Sequence, residues 1–280
     1  MIASPLIERF KVLNRYRIAF SNYLSVIHAR VFRNFPCEAI LRTSGNNVVL
    51  FDQFSAFYIS WYESLGWRYD IKENKVFVKT PLMNNEVIFY GGLTQGDLVG
   101  CFANGVYAKF EVSGKMVLDI GGSIADSAIL FCLKGAKRVI ALEPYPETAL
   151  LARQNIIENG FDEKVEIINA GIGEKSEIKI PFYGTGQENL SDFGYRAIIP
   201  LYTIEEVVNK YGINNGVLKI DCEGCEYYAI NESVNLSNFD LIQIEYHFGL
   251  KKIPLILKDK GFKVQIKKHS KNIGDIIATR

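Results

Sequence analysis

From residue 113 onward the chain alternates short apolar segments with helical segments, and this alternation constrains the fold more than any other feature of the sequence. Near-continuous apolar strands separated by helices are typical of a parallel sheet that helices cover on both faces. The predicted elements, in chain order, are strands at residues 116–120, 138–142, 164–168, 217–220 and 241–244, with helices near residues 124–133, 147–159 and 203–211.

The C-terminal residues depart from this alternation. Residues 262–268 and 273–279 are predicted strands joined by a short polar loop at residues 269–272. Strands joined by so short a loop form an antiparallel hairpin. We therefore expect the fold class to be α/β, with a mainly parallel sheet whose last strand runs antiparallel to the others.

The residues before 113 follow other patterns. Apolar residues at three- and four-residue steps predict an amphipathic helix that ends before Pro36. Short strands are predicted at residues 47–51, 67–72, 75–80, 86–90 and 106–112, with helices near residues 54–65 and 97–102. We thus expect an N-terminal helical segment (residues 1–36), a strand-rich accessory region (37–112) and the α/β domain (113–280).

Composition limits the classes of function. The 280 residues carry 32 Lys and Arg against 31 Asp and Glu, so the net charge of +1 gives no reason to expect nucleic acid as a partner. The apolar runs fall short of the roughly 18 residues of a membrane span, and no secretory signal pattern is present. The five cysteines show no disulfide-framework spacing, which suits a reducing compartment. We expect a cytoplasmic protein without a transmembrane segment.

The loop after the first strand of the α/β domain is the first candidate site. The segment VLDIGGSIAD (residues 117–126) places Asp119 at a strand end, before Gly121, Gly122 and Ser123 and the start of a helix. Ligands of open α/β sheets bind beyond the carboxyl ends of the strands, and glycines allow their close approach. The loop does not match the GxGxxG pattern of dinucleotide sites, and an acid before the glycines favours a positively charged ligand over a pyrophosphate.

A second acid ends the next strand, Glu143 in the segment VIALEP (residues 139–144). A carboxylate at this place can accept hydrogen bonds from both hydroxyls of an adenosine ribose. The alternative is an acid that serves the start of the following helix. Together with the glycine loop, Glu143 predicts a site for an adenosyl ligand without phosphate. S-adenosylmethionine has a ribose, a cationic sulfonium and no phosphate, and we predict it as the cofactor.

These segments resemble the FkbM family of S-adenosylmethionine-dependent methyltransferases. The resemblance extends from about residue 113 to the C terminus and includes three further segments: LYTIEEV (201–207), LKIDCEGCE (218–226) and IQIEYH (242–247). It implies the class I methyltransferase fold, a Rossmann-like, mainly parallel seven-stranded sheet with an antiparallel last strand. It also implies methyl transfer to a hydroxyl oxygen of a sugar or another small natural product, which would be the partner of the enzyme.

Two residues depart from the loop of the family, which usually reads Gly-Ala-Asn-(Ile or Val)-Gly. Ser123 replaces the asparagine and Ala125 replaces the last glycine, changes that can lower cofactor affinity. The predicted cofactor-binding residues lie in this loop and at neighbouring strand ends: Asp119, Gly121, Gly122, Ser123, Glu143, Ala170 and Asp221.

In this fold the fourth strand lies between the first and the fifth, so Asp221 and Glu223 are expected close to Glu245 and His247. Methylation of a hydroxyl needs a general base, and His247 is the leading candidate because the ordinary pKa of histidine lies near neutrality. Glu223 and Glu245 are the alternative catalytic residues, and Lys219 is a further one if its amine is desolvated. The same cluster could instead bind a divalent cation, but we assign no metal ligand.

Cys222 and Cys225 form a Cys-x-x-Cys pair in the segment LKIDCEGCE (218–226). No second pair of Cys or His residues stands at ligand spacing, so a structural zinc site is not expected. The favoured interpretation is two small residues that fill the space around Gly224, and a redox pair is the alternative.

Two other classes of function remain open. One is methylation of RNA or protein, although the Asn-Pro-Pro-Tyr type of motif that serves exocyclic amines does not follow the fourth strand. The other is a non-catalytic binding module with a methyltransferase fold, in which the altered loop no longer binds the cofactor.

Overall fold

The chain divides into two compact units, Met1–Asn104 and Gly105–Arg280. The structure, a computed structural model, describes residues 5–174, 176–181 and 196–280. The predicted division into three parts stays a prediction.

The first unit combines helices with short antiparallel strands. In chain order its elements are α1 (Pro5–Ala19), α2 (Tyr23–Phe32), β1 (Cys37–Ile40), β2 (Asn47–Leu50), α3 (Gln53–Leu65), β3 (Arg68–Asp70), β4 (Lys75–Val78), β5 (Val87–Tyr90) and α4 (Leu98–Phe102). Strands β1 and β2 pair with each other, and β4 lies between β3 and β5 in a second small sheet. The helices and strands predicted between residues 47 and 102 are confirmed, whereas β1 was not predicted.

The predicted N-terminal helix is interrupted between α1 and α2. At the interruption the backbone N–H of Ser21 donates to Ile40 O at 2.8 Å. The side chain of Asn22 accepts from Ile40 N at 2.8 Å and donates to Glu38 O at 3.1 Å. The prediction of one continuous helix is wrong because residues 21 and 22 bond to β1 instead of continuing the helix.

The second unit alternates strands and helices. Its elements are β6 (Met116–Ile120), α5 (Asp126–Leu133), β7 (Arg138–Leu142), α6 (Pro146–Glu158), β8 (Val165–Ile168), β9 (Gly171–Ile172), β10 (Glu177–Pro181), β11 (Arg196–Tyr202), α7 (Ile204–Tyr211), β12 (Gly216–Ile220), α8 (Glu226–Ala229), β13 (Phe239–Tyr246), α9 (Ile253–Asp259), β14 (Lys263–Lys268) and β15 (Gly274–Thr279).

Seven of these strands form one sheet in the order β14-β15-β13-β12-β6-β7-β8. The pairs of β6 with β7, β7 with β8, β12 with β6 and β12 with β13 are parallel, and β15 runs antiparallel to both β13 and β14. The predicted fold class is therefore confirmed. Because β12 lies between β6 and β13, the ends of these three strands meet at one edge of the sheet, as expected.

The apolar runs of the sequence are buried because helices cover the sheet. Leu118, Ile140, Leu218 and Ile242 lie in four neighbouring strands and are fully buried in one core. A capping box fixes the start of α7: Thr203 accepts from the backbone N–H of Glu206, whose carboxylate accepts from Thr203 N. These contacts hold the strand ends in place for the loops that follow them.

Two parts of the second unit differ from the prediction. Residues 106–109 form a turn and residues 110–112 are irregular instead of the predicted strand, because Lys134 Nζ satisfies the backbone carbonyls of Tyr107 (2.5 Å) and Phe110 (2.7 Å). A small sheet of β10, β11 and β9 was not predicted at all. Within the residues that the structure describes, no helix combines the length and the apolar character needed to cross a membrane.

We expect a fragment of residues 105–280 to be more stable than a fragment of residues 113–280. The longer fragment keeps Tyr107 and Phe110, whose rings each lie 5.2 Å from the ring of Phe131, and the shorter one loses both. Loss of two buried aromatic rings should lower the free energy of unfolding by about 3 kcal/mol or more. Urea unfolding followed by circular dichroism measures this difference, and equal stabilities would contradict the role of these rings.

Candidate active site

A buried ion pair joins the first and fourth strands of the sheet beneath the candidate site. Asp119 on β6 and Lys219 on β12 are register partners, and Lys219 Nζ lies 2.9 Å from Asp119 Oδ1 with side-chain exposures of 3% and 0%. Ser127 Oγ donates to Asp119 Oδ2 at 2.6 Å, and Lys219 Nζ also donates to Gly121 O at 2.6 Å. The pair therefore holds the start of the glycine loop.

Lys219 is positively charged in this environment. Burial alone would lower the pKa of its amine, but the carboxylates of Asp119 and Asp221 raise the pKa above its ordinary value. An ammonium that is paired and donates to a carbonyl has no lone pair for a substrate proton. The geometry thus argues against Lys219 as the general base.

The glycine loop lies close against the end of β12. Gly121 has a φ of 84°, and a Cβ there would come within 1.7 Å of the backbone oxygen of Asp221, so this position requires glycine. The backbone N–H groups of Gly121 and Gly122 donate to Leu142 O at 3.0 and 2.9 Å. The loop is therefore fixed on both sides, by the end of β7 and by the end of β12.

The two residues that depart from the family pattern adopt backbone conformations that favour glycine. Ser123 has a φ of 44° and Ala125 a φ of 68°. Each side chain at such an angle costs on the order of 1–2 kcal/mol. The loop thus keeps a left-handed backbone at residue 125, where the family has glycine, although the residue is alanine.

Glu143 ties this loop to the end of the second strand. Its Oε2 accepts from Ser123 N and its Oε1 accepts from Tyr145 N, both at 2.9 Å, and the residue is 6% exposed. Burial raises the pKa of Glu143 to about 7, although the two backbone hydrogen bonds oppose this shift. Each carboxylate oxygen keeps acceptor capacity for a further donor such as a ribose hydroxyl.

The predicted cofactor residues all lie at or next to the carboxyl ends of neighbouring strands, and none of them is fully exposed. Asp119, Gly122, Glu143 and Ala170 are buried, whereas Gly121, Ser123 and Asp221 are half-buried. Ala170 follows β8 directly after Asn169, whose side chain donates to Glu143 O at 2.9 Å. The contacts of the predicted residues with a cofactor stay predictions.

The chemistry of this edge fits S-adenosylmethionine. The side chains of Ser123, Glu143 and Asp221 are a serine and two carboxylates, and the ammonium of Lys219 below is already paired with Asp119. Carboxylates accept from hydroxyl and ammonium groups and attract a sulfonium, whereas they repel a phosphate. Glu143 would hold the ribose, the loop at residues 121–123 would lie against the methionine part, and Asp221 would face the positive charge.

His247 lies among four carboxylates at the ends of β12 and β13. Its Nε2 is 3.6 Å from Asp221 Oδ1 and 3.6 Å from Glu223 Oε2, and its Nδ1 is 3.3 Å from Glu226 Oε1. Glu245 also belongs to the cluster, since a carboxylate oxygen of Glu245 lies within 4.8 Å of ligand atoms of Asp221 and His247. The structure therefore brings all the predicted catalytic residues together.

These carboxylates change the acidity of the imidazole. Burial alone would lower the pKa of His247, but the hydrogen bond with Glu226 and the charges of Glu223 and Asp221 raise it to about 9. The side chain of His247 is 10% exposed, so water screens these charges little. At neutral pH the ring carries its proton, in contrast to the near-neutral pKa on which the sequence argument relied.

Glu226 is a residue that the sequence interpretation missed. It is fully buried, and its Oε1 accepts from His247 N at 2.9 Å while its Oε2 accepts from Gly224 N at 2.8 Å. Burial would raise the pKa of Glu226, but His247 lowers it overall. The sequence did contain a signal for Glu226, since it is the third acid of the segment DCEGCE (residues 221–226). The left-handed turn at Glu223 and Gly224, with φ of 53° and 121°, brings that acid under the histidine.

Asp221, Glu245 and His247 could also hold a metal ion, because one ligand atom of each lies within 4.8 Å of the others. A cation there would first have to displace the proton of the imidazole. Cys222 and Cys225 take no part in such a site, since they form a disulfide with an S–S distance of 2.05 Å. The favoured interpretation of these cysteines as two separate small residues is wrong.

The strand order, the glycine loop and the acids at the strand ends define a class I, Rossmann-like methyltransferase. The family model for the methyltransferase FkbM domain matches residues 119–264. The chain therefore belongs to the FkbM family of S-adenosylmethionine-dependent methyltransferases. No curated protein matches the chain.

The chain is similar to solved structures of other methyltransferases at low sequence identity. Precorrin-6y C5,15-methyltransferase from Geobacter metallireducens is 15% identical with a TM-score of 0.40, over 62% of this chain and 84% of that chain. M. capricolum TrmK, in complex with S-adenosyl-homocysteine, is 13% identical with a TM-score of 0.41, over 62% and 65%. The ribosomal protein L11 methylase from Lactobacillus delbrueckii subsp. bulgaricus is 17% identical with a TM-score of 0.36, over 62% and 74%. None of these similarities bears on the substrate of this chain.

We expect Lys219→Met to destabilise the protein by about 3–5 kcal/mol, because it leaves the charge of Asp119 buried without its partner. Lys252→Met is the matched control. Lys252 pairs with Glu232 at 3.1 Å, but the two side chains are 76% and 78% exposed. Its loss should change the free energy of unfolding by less than about 1 kcal/mol. Urea unfolding checks both values, and similar effects of the two variants would contradict the importance of the buried pair.

We expect S-adenosylhomocysteine to bind more tightly as the pH rises from 6 to 8. Only the ionised Glu143, with a pKa of about 7, accepts hydrogen bonds from the ribose hydroxyls with both oxygens. Glu143→Gln should weaken binding by about 1.5–3 kcal/mol and should remove this pH dependence. Calorimetry at several pH values measures both effects. Glu158→Gln, at the exposed end of α6, is the control and should behave like the wild type. An unchanged affinity in Glu143→Gln would rule out the ribose contact.

Proposed function

We propose that this methyltransferase acts on a hydroxyl oxygen of a sugar or a similar small metabolite. The observation that carries this proposal is the position of His247, which lies with its Nε2 near Asp221 and Glu223 at the sheet edge beside the glycine loop. A hydroxyl must lose its proton when its oxygen is methylated, and an imidazole at this position can accept that proton.

The residues of the cluster have different roles in the proposed reaction. S-adenosylmethionine, when bound, supplies the methyl group as an electrophile on a positively charged sulfur. Glu226 holds His247 through the ring Nδ1 and the backbone N–H, which leaves Nε2 to face the acceptor. Glu223 and Asp221 stabilise the imidazolium that forms when Nε2 takes the proton. Glu223 or Glu245 as the base is the alternative within this proposal.

Charge favours a small acceptor over RNA. Asp221, Glu223, Glu226 and Glu245 surround one histidine, so this edge of the sheet has an excess of negative charge. Carboxylates repel the phosphates of a nucleic acid, whereas they accept hydrogen bonds from the hydroxyls of a sugar. Methylation of a protein side chain is the second candidate, and a cytoplasmic location stays a prediction.

Transfer of labelled methyl groups to defined acceptors tests the proposal. The protein is incubated with S-adenosylmethionine labelled in the methyl group and with sugars, glycosides, RNA or a protein extract. We expect label in the sugar fraction, in a product that survives the alkali that cleaves methyl esters. Label in RNA or protein would contradict the sugar acceptor. No binding of S-adenosylmethionine by calorimetry would favour the non-catalytic module.

The pH dependence of turnover identifies the base. With a pKa of about 9 for His247, about one molecule in a hundred has a neutral imidazole at pH 7. If His247 is the base, we expect turnover to rise about tenfold per pH unit and to level off near pH 9. His247→Gln should reduce turnover by about 10²–10⁴-fold and remove this rise.

His269→Gln is the matched control for this measurement, because the ring of His269 pairs with Asp275 at 2.8 Å in the β14–β15 hairpin. We expect it to keep the wild-type pH profile. A turnover and a pH profile that are unchanged in His247→Gln would assign the base to Glu223 or Glu245. Loss of turnover on chelation, with recovery on adding a divalent ion, would assign the cluster to a metal.

A further inference from the structure

The loop after β12 contains a disulfide that the reaction does not use. Cys222 and Cys225 are bonded across a separation of three residues, and both are half-buried. Glu223 and Gly224 lie between them with left-handed φ values of 53° and 121°. The bond therefore closes a tight turn that contains one of the acids facing His247.

The two cysteines alternate with the acids that surround the histidine. Cys222 stands between Asp221 and Glu223, and Cys225 is followed directly by Glu226. Glu226 in turn accepts from Gly224 N inside the turn and from His247 N outside it. A change in the conformation of this turn must therefore move the carboxylates that hold His247.

We propose that Cys222 and Cys225 form a reversible redox centre whose disulfide state sets the position of His247. The oxidised form has the assembled cluster described above, and reduction releases the turn and lowers methyl transfer. The effect on methyl transfer rests on the proposed function of His247, whereas the movement of the histidine does not.

A purely structural role explains the bond less well. A disulfide that closes so short a loop removes little entropy from the unfolded chain. The other three cysteines, Cys37, Cys101 and Cys132, are not disulfide-bonded. A chain whose described disulfide lies beside the candidate active site is better suited to reversible exchange than to a disulfide framework.

Glutathione can reduce the Cys222–Cys225 disulfide, and glutathione disulfide can form it again. A thiolate attacks one sulfur of the pair and forms a mixed disulfide, and a second thiolate then releases the protein dithiol. Overall two glutathione molecules give two electrons and two protons and become glutathione disulfide, and the reverse reaction restores the protein bond. The neighbouring carboxylates repel anionic glutathione, so neutral dithiothreitol should reduce the pair faster at equal thiolate concentration.

The test compares the folded protein in glutathione buffers of graded ratio. Alkylation and mass spectrometry of the peptide with residues 222–225 give the fraction reduced. The chain has three histidines, so their ring signals can be resolved by NMR, and His247→Gln assigns the one of interest. At a fixed pH we expect the His247 signal to move on reduction and to return on oxidation, while the His28 and His269 signals stay constant. Turnover should fall by at least about fivefold on reduction.

Cysteine variants show whether the response of the His247 signal comes from Cys222 and Cys225 or from another thiol. In the double variant Cys222→Ser, Cys225→Ser, the His247 signal should be independent of the glutathione ratio. Cys37→Ser should respond like the wild type. An unmoved His247 signal in the reduced protein would overturn the proposal. So would unfolding on reduction, seen by circular dichroism, because it would show a structural bond. A signal that moves while no acceptor is methylated would support the redox centre and contradict the proposed function.

Discussion

The ion pair between Asp119 and Lys219 is the interaction on which the rest of the site depends. Two charges removed from water are costly, and their attraction compensates only when both are also hydrogen-bonded. Ser127 and Gly121 O supply those bonds. Because Lys219 holds Gly121 O and lies two residues before Asp221, one interaction positions both the glycine loop and the start of the loop after β12.

The second constraint is the imbalance of charge at this edge of the sheet. His247 is the cation among Asp221, Glu223, Glu226 and Glu245. Like charges so close together are stable only with a counter-charge, which explains why the histidine keeps its proton to about pH 9. A bound cation, such as a sulfonium, would share that task and would make it easier for the imidazole to lose its proton. In the proposed reaction, binding of the cofactor would therefore be coupled to deprotonation of His247 through the same carboxylates.

The strands and helices that follow from local hydrophobic pattern could be predicted from the sequence. Apolar runs separated by helical segments were sufficient for the parallel sheet and for the antiparallel β15. Contacts between distant residues were not predictable in this way. Lys134 satisfies the carbonyls of residues 107–110, and this contact removes the strand expected there. Glu226 lies under His247 because of a left-handed turn that no periodicity reveals. The raised pKa of His247 follows from these contacts and was equally hidden.

The glycine loop of this chain has a left-handed backbone at a residue that is not glycine. A glycine at position 125 would adopt a φ of 68° without strain, whereas Ala125 adopts it at a cost in energy. Glu143 accepts from Ser123 N, and Leu142 O accepts from the two glycines before it. These bonds fix the loop on the side of the second strand, and the ion pair fixes it on the side of the fourth. The conformation that glycine would adopt freely is therefore imposed at Ala125 by contacts of the loop with the neighbouring strands.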